Sequence, residues 1–177
     1  MTPPETLATE RLLLRRPALD DAEAIFTAYA SDPEVTRYLP WKPHRSAAET
    51  RAFLQRCLDS WQKGSTFPWV LTERRGGPPM GMIELRSEGT SADIGYVLAR
   101  AQWGRGFMTE ALKAVLDWTL GQEGVWRVGI LCDVDNVASA RVMEKAGLQR
   151  EGLLRRRLMH PNVSPEPRDA WLYAKTQ

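Results

Sequence analysis

Apolar positions along the chain fall into two rhythms, and these divide it into elements. In residues 92–98, Ile94, Tyr96 and Leu98 alternate with Asp93, Gly95 and Val97, a period of two that predicts a strand. Met108, Ala111, Leu112, Val115 and Thr119 then recur three and four apart, which predicts a helix from about Met108. The join reads Gln-Trp-Gly-Arg-Gly-Phe-Met-Thr-Glu, so strand, glycine turn and helix start follow without a break. Upstream, residues 7–16 carry Leu12, Leu13 and Leu14 between charges and predict a first strand ending at Pro17. Asp20 with Glu23 resembles a capping box ahead of a face built from Ala22, Ile25, Phe26 and Tyr29. Asp32-Pro33 ends that helix, and 34–39 predicts a short second one. Ser46 with Glu49 is a second capping box, opening a helix with Phe53, Leu54, Cys57, Leu58 and Trp61 on one face and Gly64 as terminator.

Strands at 66–73 and 80–85 follow, joined as a hairpin through Arg75-Gly76-Gly77-Pro78-Pro79. Beyond the central helix, Trp126, Val128, Ile130, Cys132 and Val134 alternate strictly with their neighbours and predict another strand. A helix over 137–146 ends at Gly147, and strands near 148–159 and 170–174 flank a proline-rich loop, 160–167. Strands dominate early, and strand and helix alternate from about residue 92. That order predicts an α/β (α+β) protein with one mixed sheet, parallel in its centre. No repeat or break in composition divides the chain, so residues 1–177 are expected to form a single domain.

Composition narrows the function classes. Apolar residues are 43% and charged ones 26% of the chain, an ordinary globular mix. A net charge of +2 gives no ground for a nucleic-acid or membrane partner. No run approaches the roughly 20 apolar residues of a membrane span, and the N-terminal residues lack the pattern of a secretory signal. Cys57 and Cys132, each on an apolar face, read as buried free thiols, which points to a cytoplasmic setting and away from a disulfide framework or metal centre.

Chemistry concentrates at the glycine turn. A helix start presents unpaired N–H groups and the positive end of a dipole, and Gly104 and Gly106 let an anion approach the backbone. Arg105 adds a charge and Thr109 a hydroxyl donor. A phosphate-binding Walker loop would need Gly-Lys-Ser/Thr, and a dinucleotide fingerprint a third glycine with a distant acidic residue; neither is complete. The physical reading is a pyrophosphate seat.

Gly95-Tyr96-Val97-Leu98 followed by Trp103-Gly104-Arg105-Gly106-Phe107-Met108-Thr109-Glu110-Ala111 resembles the acetyl-CoA motif of the GNAT superfamily of N-acetyltransferases, most of all its RimJ/RimL branch. Asp135-Asn136-Val137-Ala138-Ser139, then Met143-Glu144-Lys145-Ala146-Gly147-Leu148, resembles that branch's second signature. The resemblance implies a GNAT fold with a sheet of about six or seven strands and about four helices, its central strands splayed around a coenzyme slot. It implies direct acetyl transfer from acetyl-CoA to a primary amine in a ternary complex; a catalytically silent acyl-CoA-binding sensor of the same fold is the alternative. The cofactor-binding set it implies is Tyr96, Val97, Leu98, Trp103, Gly104, Arg105, Gly106, Phe107, Met108, Thr109, Asn136 and Ser139. Ser139 or a water is the candidate to assist the leaving sulfur, because Met143 stands where many members have an acidic tyrosine. Glu84, with Met80 and Met82 on its strand face, is the candidate base, ahead of Asp93, Glu110, His160 and Asp169. Trp41 with the loop around it, and residues 160–169, are candidate acceptor walls. Gly95 is expected to mark a bulge that opens the slot. Arg155, Arg156 and Arg157 are expected to alternate faces and so to form no basic stripe. No metal is expected, and the oligomeric state is left open, with a homodimer among the options.

Overall fold

The computed structural model describes residues 1–177. Eight strands form one sheet: β1 (Thr6–Ala8), β2 (Leu12–Arg15), β3 (Thr66–Glu73), β4 (Gly81–Glu88), β5 (Ser91–Leu98), β6 (Arg127–Asp133), β7 (Gln149–Leu158) and β8 (Arg168–Thr176). The helices are α1 (Ala22–Ile25), α2 (Pro33–Thr36), α3 (Ala47–Lys63), α4 (Phe107–Leu120) and α5 (Val137–Lys145), with α1 running on into a π-helical turn, Phe26–Ala30. Strand order is β1-β2-β3-β4-β5-β6-β8-β7, and every neighbouring pair is antiparallel except β5 with β6.

The expected strand over 7–16 is instead a hairpin: β1 and β2 pair Leu7 with Leu14 across a turn at Glu10. That extra strand makes eight rather than six or seven; with the short α2, which the sequence predicts over 34–39, the helices number five against the four or so that the resemblance implies. The capping carboxylate ahead of α1 is Asp21, which accepts the Ala18 N–H at 2.8 Å and pairs with Arg15; Asp20 points into solvent. Ser46 caps α3 as expected, although Glu49 reaches back to the Arg45 N–H rather than to the cap itself. Gly64 ends α3 in the left-handed region.

The sheet has a face for each helical layer. Leu12, Leu14, Phe67, Trp69, Leu71, Ile83, Leu85 and Ile94 bury against α4, whose Ala111, Leu112, Val115 and Leu116 are wholly inaccessible. Val70, Met82 and Ala99 pack on the opposite face against Ile25, Tyr29, Leu54 and Cys57 from α1, the π-helical turn and α3. Trp126, expected in the apolar stripe of β6, stands just ahead of the strand at the edge of the core and is 60% exposed, although its main chain still bonds Thr90 and Gln177.

The parallel join is short. β5 meets β6 only from Ser91–Arg127 to Asp93–Gly129, and beyond those pairs the strands part. Gly95 does not cause this with a bulge, since it pairs in regular register with Glu84. Its missing side chain serves its neighbour instead: a Cβ there would lie 3.3 Å from the Arg86 guanidinium. The irregularity the sequence hides is in β7, where residues 155–157 face the one residue between Ala170 and Arg168. Arg156 takes a positive φ of 49° and donates its N–H to Asp169 at 2.9 Å, so the three arginines bulge outward instead of alternating.

Leu112→Ala removes buried methyl groups at the centre of the larger core and should cost about 3 kcal/mol. Urea unfolding measures this, and a loss under about 1 kcal/mol would mean α4 does not anchor the sheet.

Candidate active site

Alternation along β5 builds the slot. Ala99 donates to the Met80 carbonyl, so Val97, Gly95 and Asp93 also direct their main chain toward β4. Tyr96 and Leu98 direct theirs the other way, into the gap where β6 has diverged. The Leu98 carbonyl is met there by the Trp103 indole N–H at 2.8 Å. Gly81 lets β4 lie close alongside, since a Cβ there would sit 2.6 Å from the Val97 carbonyl oxygen.

At the open end of the slot, Gly104 and Gly106 both adopt left-handed φ, 75° and 78°, around Arg105. Gly106 is the N-cap of α4 and carries no side chain to occupy the helix start. The first N–H in this stretch with a protein acceptor is that of Glu110, which donates to Gly106; none of the amides of residues 104–109 has one. A run of free amides in a left-handed turn at a helix start is a nest for an anion. The acidic residue that should spoil it is neutralised. Glu110 accepts from the Thr9 hydroxyl at 2.5 Å, the Arg11 N–H at 2.8 Å and the Arg11 guanidinium at 2.6 Å. Burial pushes its carboxyl upward, but these hydrogen bonds prevail and hold it below the usual carboxylate range.

Across the slot, Asn136 caps α5 by accepting the Ser139 N–H at 3.2 Å. The Ser139 hydroxyl lies 2.7 Å from the Tyr96 phenol, which also donates to the Ser139 carbonyl at 3.2 Å. Burial raises the Tyr96 hydroxyl well above its ordinary value, so it stays protonated and remains a donor at neutral pH. Met143 is fully buried in the core. The sequence reading missed this hydroxyl pair, because strand alternation marks Tyr96 only as apolar and inward.

The face of β5 carrying Asp93, Gly95 and Val97 is opposite to that of Tyr96. Here the expected apolar setting of Glu84 is not found. The Arg86 guanidinium binds both Glu84 and Asp93, in the space Gly95 leaves open. Register alone could have found this trio, since Arg86 lies opposite Asp93 and Glu84 opposite Gly95.

The two candidate acceptor loops are joined. The Asn162 amide donates to the Thr36 and Trp41 carbonyls, both at 2.8 Å. The Trp41 ring packs against His44 and Phe53, with centroids 5.0 and 6.3 Å away. His160 is buried with neither ring nitrogen hydrogen-bonded, 3.7 Å from the Asp133 carboxylate and edge-on to Tyr38. Asp133, at the end of β6, is wholly inaccessible and accepts from Arg168 at 2.5 and 3.0 Å and from the Asp135 N–H. Burial drives its carboxyl up, yet these partners outweigh burial and hold it low. Burial pushes His160 down despite the pull of Asp133. Both cysteines are buried free thiols, and among all residues no group of metal-ligating side chains comes together. No helix is long and apolar enough to cross a membrane.

A sheet parted between its only parallel strands, with a free-amide helix start beside the opening, is the architecture of an acyl-coenzyme-handling domain. Residues 11–149 match the model of the acetyltransferase (GNAT) domain, and the chain belongs to that family. It is 33% identical over 162 residues to YoaA of Bacillus subtilis, an uncharacterized N-acetyltransferase, covering 90% of each chain. A GNAT-family acetyltransferase from Bacillus anthracis superposes with a TM-score of 0.83 at 26% identity, over 97% of this chain and 98% of that one. RimL, a ribosomal alpha-N-protein acetyltransferase in complex with coenzyme A, has the same fold, with a TM-score of 0.84 at 23% identity over 97% and 98%. The reaction class is therefore acetyl-CoA-dependent acyl transfer.

Asp133 gives a pH-dependent prediction. A depressed carboxyl contributes stability fully present above its unfolded value and lost as pH falls through the folded one. Asp133→Asn should lose about 3 kcal/mol at pH 7 by leaving Arg168 without its buried partner. The gap to wild type should narrow below about pH 4. Unfolding curves at both pH values check this, and an equal gap at both contradicts the ion pair's role.

Proposed function

We propose that the protein transfers the acetyl group of acetyl-CoA directly to a primary amine, at a protein or peptide N-terminus or on a small molecule. The observation that carries this is the run of acceptor-free amides at residues 104–109, beside a slot where the main chain of Tyr96 and Leu98 has no partner strand. Those amides suit the diphosphate of the coenzyme, and the likeness to RimL, whose structure contains coenzyme A, supports the same reading. Trp103, Phe107 and Met108 shape the turn, and the amide of Asn136 is free to donate while its oxygen caps α5; Val97 puts its side chain on the opposite face, against α1 and α3, and offers the coenzyme none. When bound, acetyl-CoA supplies an activated acyl group; the remaining tasks belong to the chain. Main-chain N–H groups of β5 stabilise negative charge developing on the acyl oxygen. Ser139 donates a proton to the departing sulfur as the carbon–sulfur bond breaks, and Tyr96 behind it holds the hydroxyl in place. Glu84, from the opposite face, takes the proton released as the nitrogen–carbon bond forms, directly or through water. The amine enters past Trp41 and the Asn162-tied loops. An N-terminal amine is the acceptor class of RimL and the first to try.

The test is coenzyme A release with a panel of amines, read together with product mass. Ser139→Ala and Glu84→Gln should each lower kcat by about 10²-fold while the dissociation constant for acetyl-CoA stays within a few-fold. Unchanged turnover at saturating amine removes the substituted residue from the mechanism. Tight binding of acetyl-CoA with no turnover on any amine favours a silent sensor over an enzyme.

A further inference from the structure

Behind the glycine turn, on the side of the β1–β2 hairpin, lies a cleft of about 710 Å³. Four arginines line it: Arg11 from the β1–β2 turn, Arg74 and Arg75 from the β3–β4 turn, and Arg105 from between the two glycines. Four guanidinium groups here face three carboxylates, Glu10 and Glu73 in the lining and Glu110 beside Arg11, so the cleft keeps a small positive excess. Of the four, only Arg11 has an ion-pair partner, Glu110 at 2.6 Å. Glu10 and Glu73 also line the cleft, yet neither forms an ion pair with any of them.

What holds Arg74 and Arg105 in place is neutral. The Arg74 guanidinium donates to the Thr9 carbonyl at 2.7 Å, and its N–H donates to the Arg11 carbonyl at 2.8 Å. Arg105 donates to the side-chain oxygen of Gln102, and its own carbonyl accepts from Arg11 at 3.0 Å. The guanidinium groups of Arg11 and Arg105 lie 4.6 and 4.7 Å from the centre of the Phe107 ring. Arg75 donates to no group in the protein. Neutral acceptors and a ring fix direction without pairing the charge, so Arg74 and Arg105 are held with their charge free of any ion pair. A doubly charged phosphate monoester, with three acceptor oxygens, matches that arrangement better than a single carboxylate.

Arg105 connects this cleft to the anion nest, since its main-chain N–H belongs to the nest and its side chain to the cleft. A ligand with a diphosphate in one and a phosphate monoester in the other would engage both. Coenzyme A has that chemistry, with a 3′-phosphate on the ribose that carries its diphosphate. We propose that the Arg11–Arg74–Arg75–Arg105 cleft is the 3′-phosphate site and makes the protein select coenzyme A over 3′-dephospho-coenzyme A. This rests on the coenzyme reading given above.

The experiment is calorimetric titration of the full chain with coenzyme A and with 3′-dephospho-coenzyme A, on wild type and on a variant carrying Arg74→Ala and Arg75→Ala. Wild type should bind coenzyme A about tenfold or more tightly than the dephospho form, as expected for charge-assisted hydrogen bonds. The variant should lose most of that preference while binding the dephospho form as wild type does, which also shows that it is folded. Adding salt should shrink the wild-type preference. Equal binding of both ligands by wild type overturns the proposal, as does a variant weakened equally toward both. A variant that keeps the full preference but shows a raised KM for acidic acceptors would give the cleft to the acceptor, and also overturns it. If wild type binds neither ligand, it is the coenzyme reading that fails.

Discussion

The structure depends on a ladder that stops. β5 and β6 share hydrogen bonds over their first residues and then separate, leaving the main chain of Tyr96 and Leu98 without a strand to bond. Backbone polar groups withdrawn from water and left unpaired cost about as much as a lost hydrogen bond each, so folded chains rarely tolerate a row of them. Here the surrounding ladders compensate. β4 grips β5 along its whole length, and β8 pairs with every residue of β6. Each diverging strand is thus held by its outer neighbour, and the opening between them does not depend on the ligand to keep its shape.

Chain direction then decides what surrounds the opening. A parallel pair requires a crossover, and the one between β5 and β6 is α4. Because α4 leaves from the carboxyl end of β5 and α5 from that of β6, both helix starts arrive at the divergent end of the same slot. This is the switch-point geometry in which open sheets place their ligands. Two positive dipole ends therefore point to one place, one capped by Asn136 and one left open by Gly106.

How much of this the sequence discloses depends on distance along the chain. The glycine turn, the Ser46 cap and the periods of α3, α4, β5 and β6 are local and were readable, because a few adjacent residues determine each of them. What was unreadable is non-local. Glu110 is satisfied by Thr9 and Arg11, 101 and 99 positions away, so spacing marks it only as an acidic residue at a helix start. Asn162 ties loops 121 and 126 positions distant, and the Asp133–Arg168 pair spans 35. The split of the first strand was hidden differently. Thr9 and Glu10 are no glycine-type turn signal, and the turn is stabilised by the Thr9 hydroxyl accepting the Leu12 N–H at 2.9 Å. Glu84 lay between these cases: its strand and face were legible, but the guanidinium beside it needed the β4–β5 register.

The period of two along β5 also separates the chemistry. Ile94, Tyr96 and Leu98 face α4 and α5, and Tyr96 reaches Ser139; Asp93, Gly95 and Val97 face α1 and α3, where Arg86 bridges Glu84 and Asp93. Donor hydroxyls and ion-paired carboxylates thus occupy opposite sides of one strand, within a residue or two of each other. On the proposed mechanism, a group reacting in the opening meets proton donors on one side and proton acceptors on the other, with the sheet itself keeping them apart. Shifting β5 by one residue against β4 would exchange the two sides and place Tyr96 among the carboxylates. Gly81 and Gly95 oppose that slip. The close approach of the Val97 carbonyl and the seating of Arg86 each need a residue without a side chain at that one register position. The two glycines therefore act on the chemistry by fixing which face of the strand each reactive group belongs to.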